Sequence, residues 1–261
     1  MRFLAIQTDP QWLDVAENRR RIEAALDASG FGRGDFVVLP EMCETAWTSD
    51  PAHLSGPRDS IAWLSGVARA RGIWLQAGFV EHGADGRLAN AVAVIAPDGA
   101  CKGVYRKNFL FPSERRAFEP GRALLVVDLG AARVCPLVCY DLRFPELWRL
   151  AALAGAEVFT VSSSWPAPRH EHWRALLVAR GIENQAFVVA ANRCGTDPSN
   201  RYLGGSVAIT PFGERTTEAA ENPSAISMAF DRDALDAWRA RFPALGDVRR
   251  GLLGAIDVVR A

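Results

Sequence analysis

Four residues in this sequence could together hydrolyse an amide through a thiol. Cys139 closes the apolar run PLVC just before YDLRFPELWR, Lys107 and Glu114 share the polar stretch GVYRKNFLFPSE, and Glu41 follows VVLP. Thiol attack on an amide needs a base to make the thiolate, an acid to protonate the leaving nitrogen, and donors that hold the oxyanion of the tetrahedral intermediate. A carboxylate in a poorly hydrated pocket binds protons more tightly than one in water. That suits Glu41 to the proton transfers and to activating water against the resulting thioester. Lys107 can bring positive charge near thiolate and oxyanion, and the main-chain N–H of Tyr140 can act as a second oxyanion donor. Glu114 can orient Lys107 or assist proton transfer. Only Lys102 and Lys107 are lysines among thirty basic residues, which makes each worth attention.

Each residue also has a plainer reading. A cysteine at the end of a buried strand commonly packs as a small apolar residue, an isolated glutamate can cap a helix, and an isolated lysine can be a solvated surface group. Arg143 could hold a substrate carboxylate in a bidentate pair, although the role of holding its own loop is favoured. Trp165 and the proline-rich turn after it read as a pocket wall. Cys43, two residues after Glu41, and His172 are further pocket candidates. Glu and Lys already meet the proton-transfer needs, so His172 reads as a packed or hydrogen-bonded residue. Cys101, Cys135 and Cys194 read as structural.

These side chains need elements to carry them. Strands are expected at 3–7, 36–39 and 73–80, with amphipathic helices at 14–28 and 60–70. The strand at 36–39 has the form of a buried central strand that delivers a polar residue, Glu41, beyond its C-terminal end. A strand pair at 88–95 and 103–105 turns on Pro97-Asp98-Gly99, and 106–121 reads as an irregular functional loop or a broken helix. Strands at 124–129 and 132–139 lead to a helix at 145–153, whose Pro145 suits a first turn. A strand at 158–161, a helix at 171–184 and a very apolar segment at 186–191 follow, then strands at 206–210 and 225–230. The chain after Asp231 begins as a helix and ends in an apolar stretch around 255–259. The order predicts two mixed sheets with helices on their outer faces, with one doubly wound sheet as the competing architecture.

Composition narrows the function classes. The 261 residues are 49% apolar and 23% charged, with acidic and basic residues balanced at 30 each, as in a folded domain with a substantial core. Zero net charge offers no general attraction to nucleic acid or an anionic membrane. No apolar run approaches a membrane span, and the N-terminus lacks the pattern of an export signal, so a cytoplasmic protein is expected. Five dispersed cysteines imply reduced thiols rather than a disulfide framework, and their spacing does not complete a zinc site.

Ordered along the chain, PEM (40–42), YRKNFLF (105–111), CYDLRFPELWR (139–149), SWPAPR (164–169), ARGIENQAFVVAANR (179–193) and GGSVAITPFGE (204–214) make the sequence resemble the carbon–nitrogen hydrolase, or nitrilase, superfamily. The resemblance runs to about residue 245. It implies an α/β fold, a four-layer αββα sandwich in one domain over 1–261, with 246–261 as a tail at a subunit interface. It further implies a homodimer, no bound cofactor, Glu41 as base, Lys107 as oxyanion stabiliser, Cys139 as nucleophile and Glu114 as auxiliary carboxylate. Within the superfamily the sequence is most similar to the omega-amidase branch, which acts on omega-amides of 2-oxo dicarboxylic acids such as 2-oxoglutaramate and 2-oxosuccinamate. Tyr140-Asp141 differs from the Trp-Glu common after the nucleophile of true nitrilases. Cys43 stands where related amidases often carry an aromatic residue, and Asn108 where histidine is common. The rival readings are a hydrolase of N-carbamoyl compounds or deaminated glutathione, a nitrilase, and a non-catalytic ligand-binding protein on the same fold.

Overall fold

Short apolar runs alternate with amphipathic helices in the first part of the chain: β1 (Arg2–Gln7), α1 (Val15–Ala28), β2 (Phe36–Val38), α2 (Ser60–Arg71), β3 (Trp74–His82), β4 (Leu88–Ile95) and β5 (Cys101–Arg106). The computed structural model describes residues 1–53, 59–83, 86–249, 251 and 257–261. In α1, Ile22 and Leu26 stand four residues apart and are both buried, as a helix with one apolar stripe requires. The Asp14 side chain caps α1 by accepting the Glu17 N–H at 3.0 Å. Gly72, at φ +64°, ends α2 in the left-handed conformation that glycine adopts most easily.

The second part contributes β6 (Ala123–Asp128), β7 (Arg133–Val138), α3 (Pro145–Leu153), β8 (Val158–Ser163), α4 (His170–Asn184) and β9 (Phe187–Asn192). A small hairpin, β10 (Cys194–Thr196) and β11 (Arg201–Leu203), precedes β12 (Val207–Ile209), β13 (Arg215–Glu218), β14 (Ser224–Ala229), α5 (Arg232–Arg241) and β15 (Asp257–Arg260). One sheet runs β14-β1-β2-β3-β4-β5 and the other β13-β12-β9-β8-β7-β6-β15. Both have a parallel centre, β1-β2-β3 and β7-β8-β9, flanked on each side by an antiparallel pairing.

Phe3, Phe36, Val94, Val126 and Val134 belong to the core cluster shared by the two sheets. Leu4, Val37 and Leu75 pack with Ile22, Leu26 and Leu64, so α1 and α2 cover one outer face. Trp148 of α3 stands 4.7 Å, centroid to centroid, from Phe159 of β8, and Trp173 and Leu177 of α4 are buried in the same cluster. The result is the four-layer αββα sandwich, and the single doubly wound sheet is excluded. The element order is the one the sequence predicts, with β10, β11, β13 and β15 in addition. Part of the apolar stretch expected at 255–259 lies outside the described residues, while Asp257–Arg260 pairs in parallel with β6 of the same chain. Among the described residues no helix is long and apolar enough to cross a membrane.

Candidate active site

Glu41 emerges just beyond β2, after Leu39 has made one more ladder bond to the Gln76 carbonyl at 2.8 Å. Met42 then takes φ +44°, which turns the chain sharply. The turn presses against Gly78 of β3: a Cβ there would stand 2.6 Å from the Glu41 Cα and 2.7 Å from the Pro40 carbonyl oxygen. Only a glycine admits that approach. The Glu41 side chain is 0% exposed. Its Oε2 accepts the Ser164 N–H at 3.0 Å from the other half of the sandwich.

Its Oε1 meets Lys107. Lys107 follows β5, its N–H bound to the Asn90 carbonyl at 2.8 Å, and its Nζ lies 2.8 Å from Glu41 Oε1 and 2.9 Å from Glu114 Oε2. Glu114 is the third residue of a helical turn at Pro112–Arg116, and its Oε2 reaches back to accept the Phe111 N–H at 2.6 Å, the carboxylate half of a capping box. The Asn90 amide donates to Glu41 Oε1 and Glu114 Oε1, both at 2.7 Å, and Trp47 Nε1 donates to Glu114 Oε1 at 3.0 Å. All three charged side chains are essentially without solvent contact. Burial favours a neutral lysine, yet the Glu114 and Glu41 carboxylates hold the Lys107 ammonium well above the ordinary lysine range. Burial likewise opposes ionisation of Glu114, but Lys107 and the hydrogen bonds bring its carboxyl below the usual range. A fixed ammonium between two carboxylates results.

Cys139 sits one residue past β7, at φ +42°. A non-glycine residue in that region is strained and persists only where its surroundings enforce it. It opens a single helical turn, Cys139–Arg143, whose first N–H groups have no partner within the turn. Asp141, third in that turn, accepts the Val138 N–H at 3.1 Å, as Glu114 does in its own. Burial pushes the Asp141 carboxyl up to about 7, against the donors that hold it. The Cys139 thiol is driven well above its ordinary value by burial and by the Glu41 charge, with Lys107 opposing, so at neutral pH it is a thiol that needs a base.

A cavity of about 390 Å³ joins Cys139 and Lys107 to Tyr140, Arg143, Trp165, Arg169 and Tyr202. Among its described lining residues none is Asp or Glu. The Arg143 guanidinium stacks over Trp165 at 4.8 Å and that of Arg169 over Phe111 at 5.4 Å. No carboxylate of the described residues pairs with either arginine. His172 stands outside the lining, 3.3 Å from Arg143 through Nδ1. Cys43 does not reach the cavity. It is packed with Leu4, Val37 and Leu64 beneath the helices, because the turn at Met42 directs Glu41 and Cys43 to opposite sides. A larger groove of about 700 Å³, at Glu81, Arg106 and Glu119, contains none of the candidate residues.

Asn90, Ser164, Arg169 and Tyr202 were not picked out as site residues from sequence. SWPAPR contains both Ser164 and Arg169, so a search for polar residues around Trp165 would have found them. As assembled, the site puts a thiol, a carboxylate and an ammonium together with two further cations, an arrangement able to attack a carbonyl and hold negative charge.

The carbon–nitrogen hydrolase family profile matches residues 4–240. The 2-oxoglutaramate amidase of Bacillus subtilis (strain 168) is 31% identical over 254 residues, 95% of this chain and 97% of that protein. Omega-amidase YafV of Escherichia coli (strain K12) is 34% identical over 252 residues, 95% of this chain and 96% of that protein. The crystal structure of XC1258 from Xanthomonas campestris, a CN-hydrolase superfamily protein with an arsenic adduct in the active site, superposes with a TM-score of 0.87. It shares 29% identity and covers 97% of this chain and 99% of that one.

Proposed function

Because the chain belongs to the carbon–nitrogen hydrolase family and is a cysteine-dependent hydrolase, we propose that it removes ammonia from the omega-amide of a 2-oxo dicarboxylic acid, such as 2-oxoglutaramate or 2-oxosuccinamate. The observation that carries this reading is the cavity wall: Cys139 and Lys107 open onto two ring-stacked guanidiniums and no acid among the described lining residues. An amide bearing a carboxylate at its far end suits such a wall, since guanidinium and carboxylate pair in a bidentate, charge-assisted way.

In the proposed reaction Glu41 takes the Cys139 proton as Sγ attacks the amide carbon. Lys107 and the Tyr140 N–H hold the oxyanion. The tetrahedral intermediate collapses, the C–N bond breaks, and the proton on Glu41 goes to the leaving nitrogen to give ammonia. Water, deprotonated by Glu41, then attacks the thioester. A second tetrahedral intermediate releases the 2-oxo acid, and the proton returns to Sγ. Glu114 keeps Lys107 in place, and the geometry favouring this is the 2.9 Å ion pair between them. Arg143, with Arg169, takes the substrate carboxylate, and Trp165 supplies the stacking face behind Arg143.

The working form is proposed to be a homodimer that uses the face where Ile182 of α4, Phe212 of the β12–β13 turn and Phe242 just after α5 are 50%, 57% and 56% exposed. The test of the reaction is ammonia release across 2-oxoglutaramate, 2-oxosuccinamate, glutamine, an N-carbamoyl amino acid, deaminated glutathione, a neutral amide and a nitrile, with Cys139→Ala alongside. Preference for a 2-oxo acid amide, lost in the variant, is expected. Preference for the neutral amide would remove the carboxylate reading and keep the thiol chemistry.

A further inference from the structure

Asp141 is a buried carboxylate to which the proposed reaction gives no part. Its side chain is 0% exposed and takes three hydrogen bonds, from the Tyr105 hydroxyl at 2.8 Å, the Phe109 N–H at 3.0 Å and the Val138 N–H at 3.1 Å. These donors bracket the two groups that must meet at the substrate. Tyr105 and Phe109 lie two residues before and after Lys107, while Val138 and Asp141 itself enclose Cys139. The Tyr105 hydroxyl also accepts the Asn108 N–H at 3.4 Å, so both residues that follow Lys107 are held in one cluster.

Lys107 follows a strand of one sheet and Cys139 a strand of the other, so no backbone ladder joins them. Beside the cluster Phe109 and Phe144 stack with centroids 3.6 Å apart, which ties the same two segments through apolar contact. The strained φ of Cys139 needs such fixing.

We propose that Asp141 is a positioning residue that sets Lys107 against Cys139, whichever amide is hydrolysed. The proposal rests on the reading of Lys107 and Cys139 as the reacting pair. An isosteric amide at 141 would turn its NH₂ toward at least one of the N–H donors it now accepts, and that segment would move.

Two variants test it. Asp141→Asn is expected to lower kcat about a hundredfold with KM changed by less than about threefold, the size of effect that a 1 Å displacement produces. Tyr105→Phe removes one of the three bonds without altering any charge, and kcat is expected to fall about tenfold. In Tyr105→Phe the pH midpoint for alkylation of Cys139 by iodoacetamide should also move upward, because a displaced ammonium stabilises the thiolate less. A role confined to stability would lower the melting temperature and leave that midpoint in place. A folded Tyr105→Phe protein with wild-type kcat and midpoint overturns the proposal, and it does so even if Asp141→Asn fails to fold. Ammonia release by Cys139→Ala would instead sink the reading of the nucleophile. The alkylation midpoint can be measured even if no amide in the panel is turned over.

Discussion

At the scale of single residues, the site depends on a contest between burial and charge. Glu41 raises the Cys139 thiol and Lys107 opposes it, so neutralising Glu41 has two effects of opposite sign. Glu41→Gln is expected to lose turnover by about a thousandfold, as for loss of a general base. The same change should make the thiol more reactive toward iodoacetamide at a given pH near neutrality, since a thiol held above its ordinary range is partly released when the adjacent negative charge goes. Turnover at the wild-type rate in Glu41→Gln would contradict the assignment of Glu41 as base. Arg169→Gln and Arg143→Gln should each reduce the kcat/KM ratio of 2-oxoglutaramate over a neutral amide of similar length by at least about tenfold, the worth of a hydrogen bond to a charged group. An unchanged ratio in both would remove the carboxylate role. Glu41, Lys107, Glu114 and Cys139 were legible because each sits in a distinctive segment and their types together meet the needs of thiol chemistry. Asn90 was not. Counting back from the Pro97-Asp98-Gly99 turn pairs it with Arg106, and only the irregularity between Val94 and Ile95 shifts the register so that Asn90 stands beside Lys107. A bulge of that kind leaves no mark in the residue types.

At the scale of elements, the site lies where strand ends from two sheets converge, so small backbone contacts control it. Gly78→Ala would force a Cβ into the Pro40-Glu41 turn, and the expected result is a loss of about a hundredfold in kcat from displaced Glu41. Steady-state kinetics on the folded variant checks this, and wild-type kcat would show that the turn can yield. Trp148→Ala, at a fully buried position of α3 whose Nε1 donates to the Asp141 carbonyl at 3.3 Å, is expected to cost about 3–5 kcal/mol of stability, readable by denaturant titration. The central strands and α1 to α4 were legible because their apolar periodicity is strong. The hairpin β10–β11 was hidden because three-residue strands give no period to read. Its position is fixed by tertiary contacts, with Arg193 fully buried against the Tyr202 ring at 4.2 Å.

At the scale of the whole molecule, β15 shields the edge of the second sheet by pairing with β6. A protein ending at residue 249 should expose that edge, melt at lower temperature and self-associate, as light scattering during a thermal ramp would report. Unchanged melting would mean the tail is dispensable to the fold. The four layers were legible from the order of strands and helices and from the family resemblance, whereas the return of the tail onto its own sheet was not, because its few apolar residues fit an interface equally well. The central claim is that Cys139 carries the acyl group of an omega-amide. It is tested most directly by acid-quenching the enzyme during turnover of 2-oxoglutaramate and mapping the modified peptide, with Cys139→Ala assayed in parallel. The predicted result is an adduct of substrate minus ammonia on Cys139 and no ammonia release by the variant. Wild-type ammonia release by Cys139→Ala would contradict it.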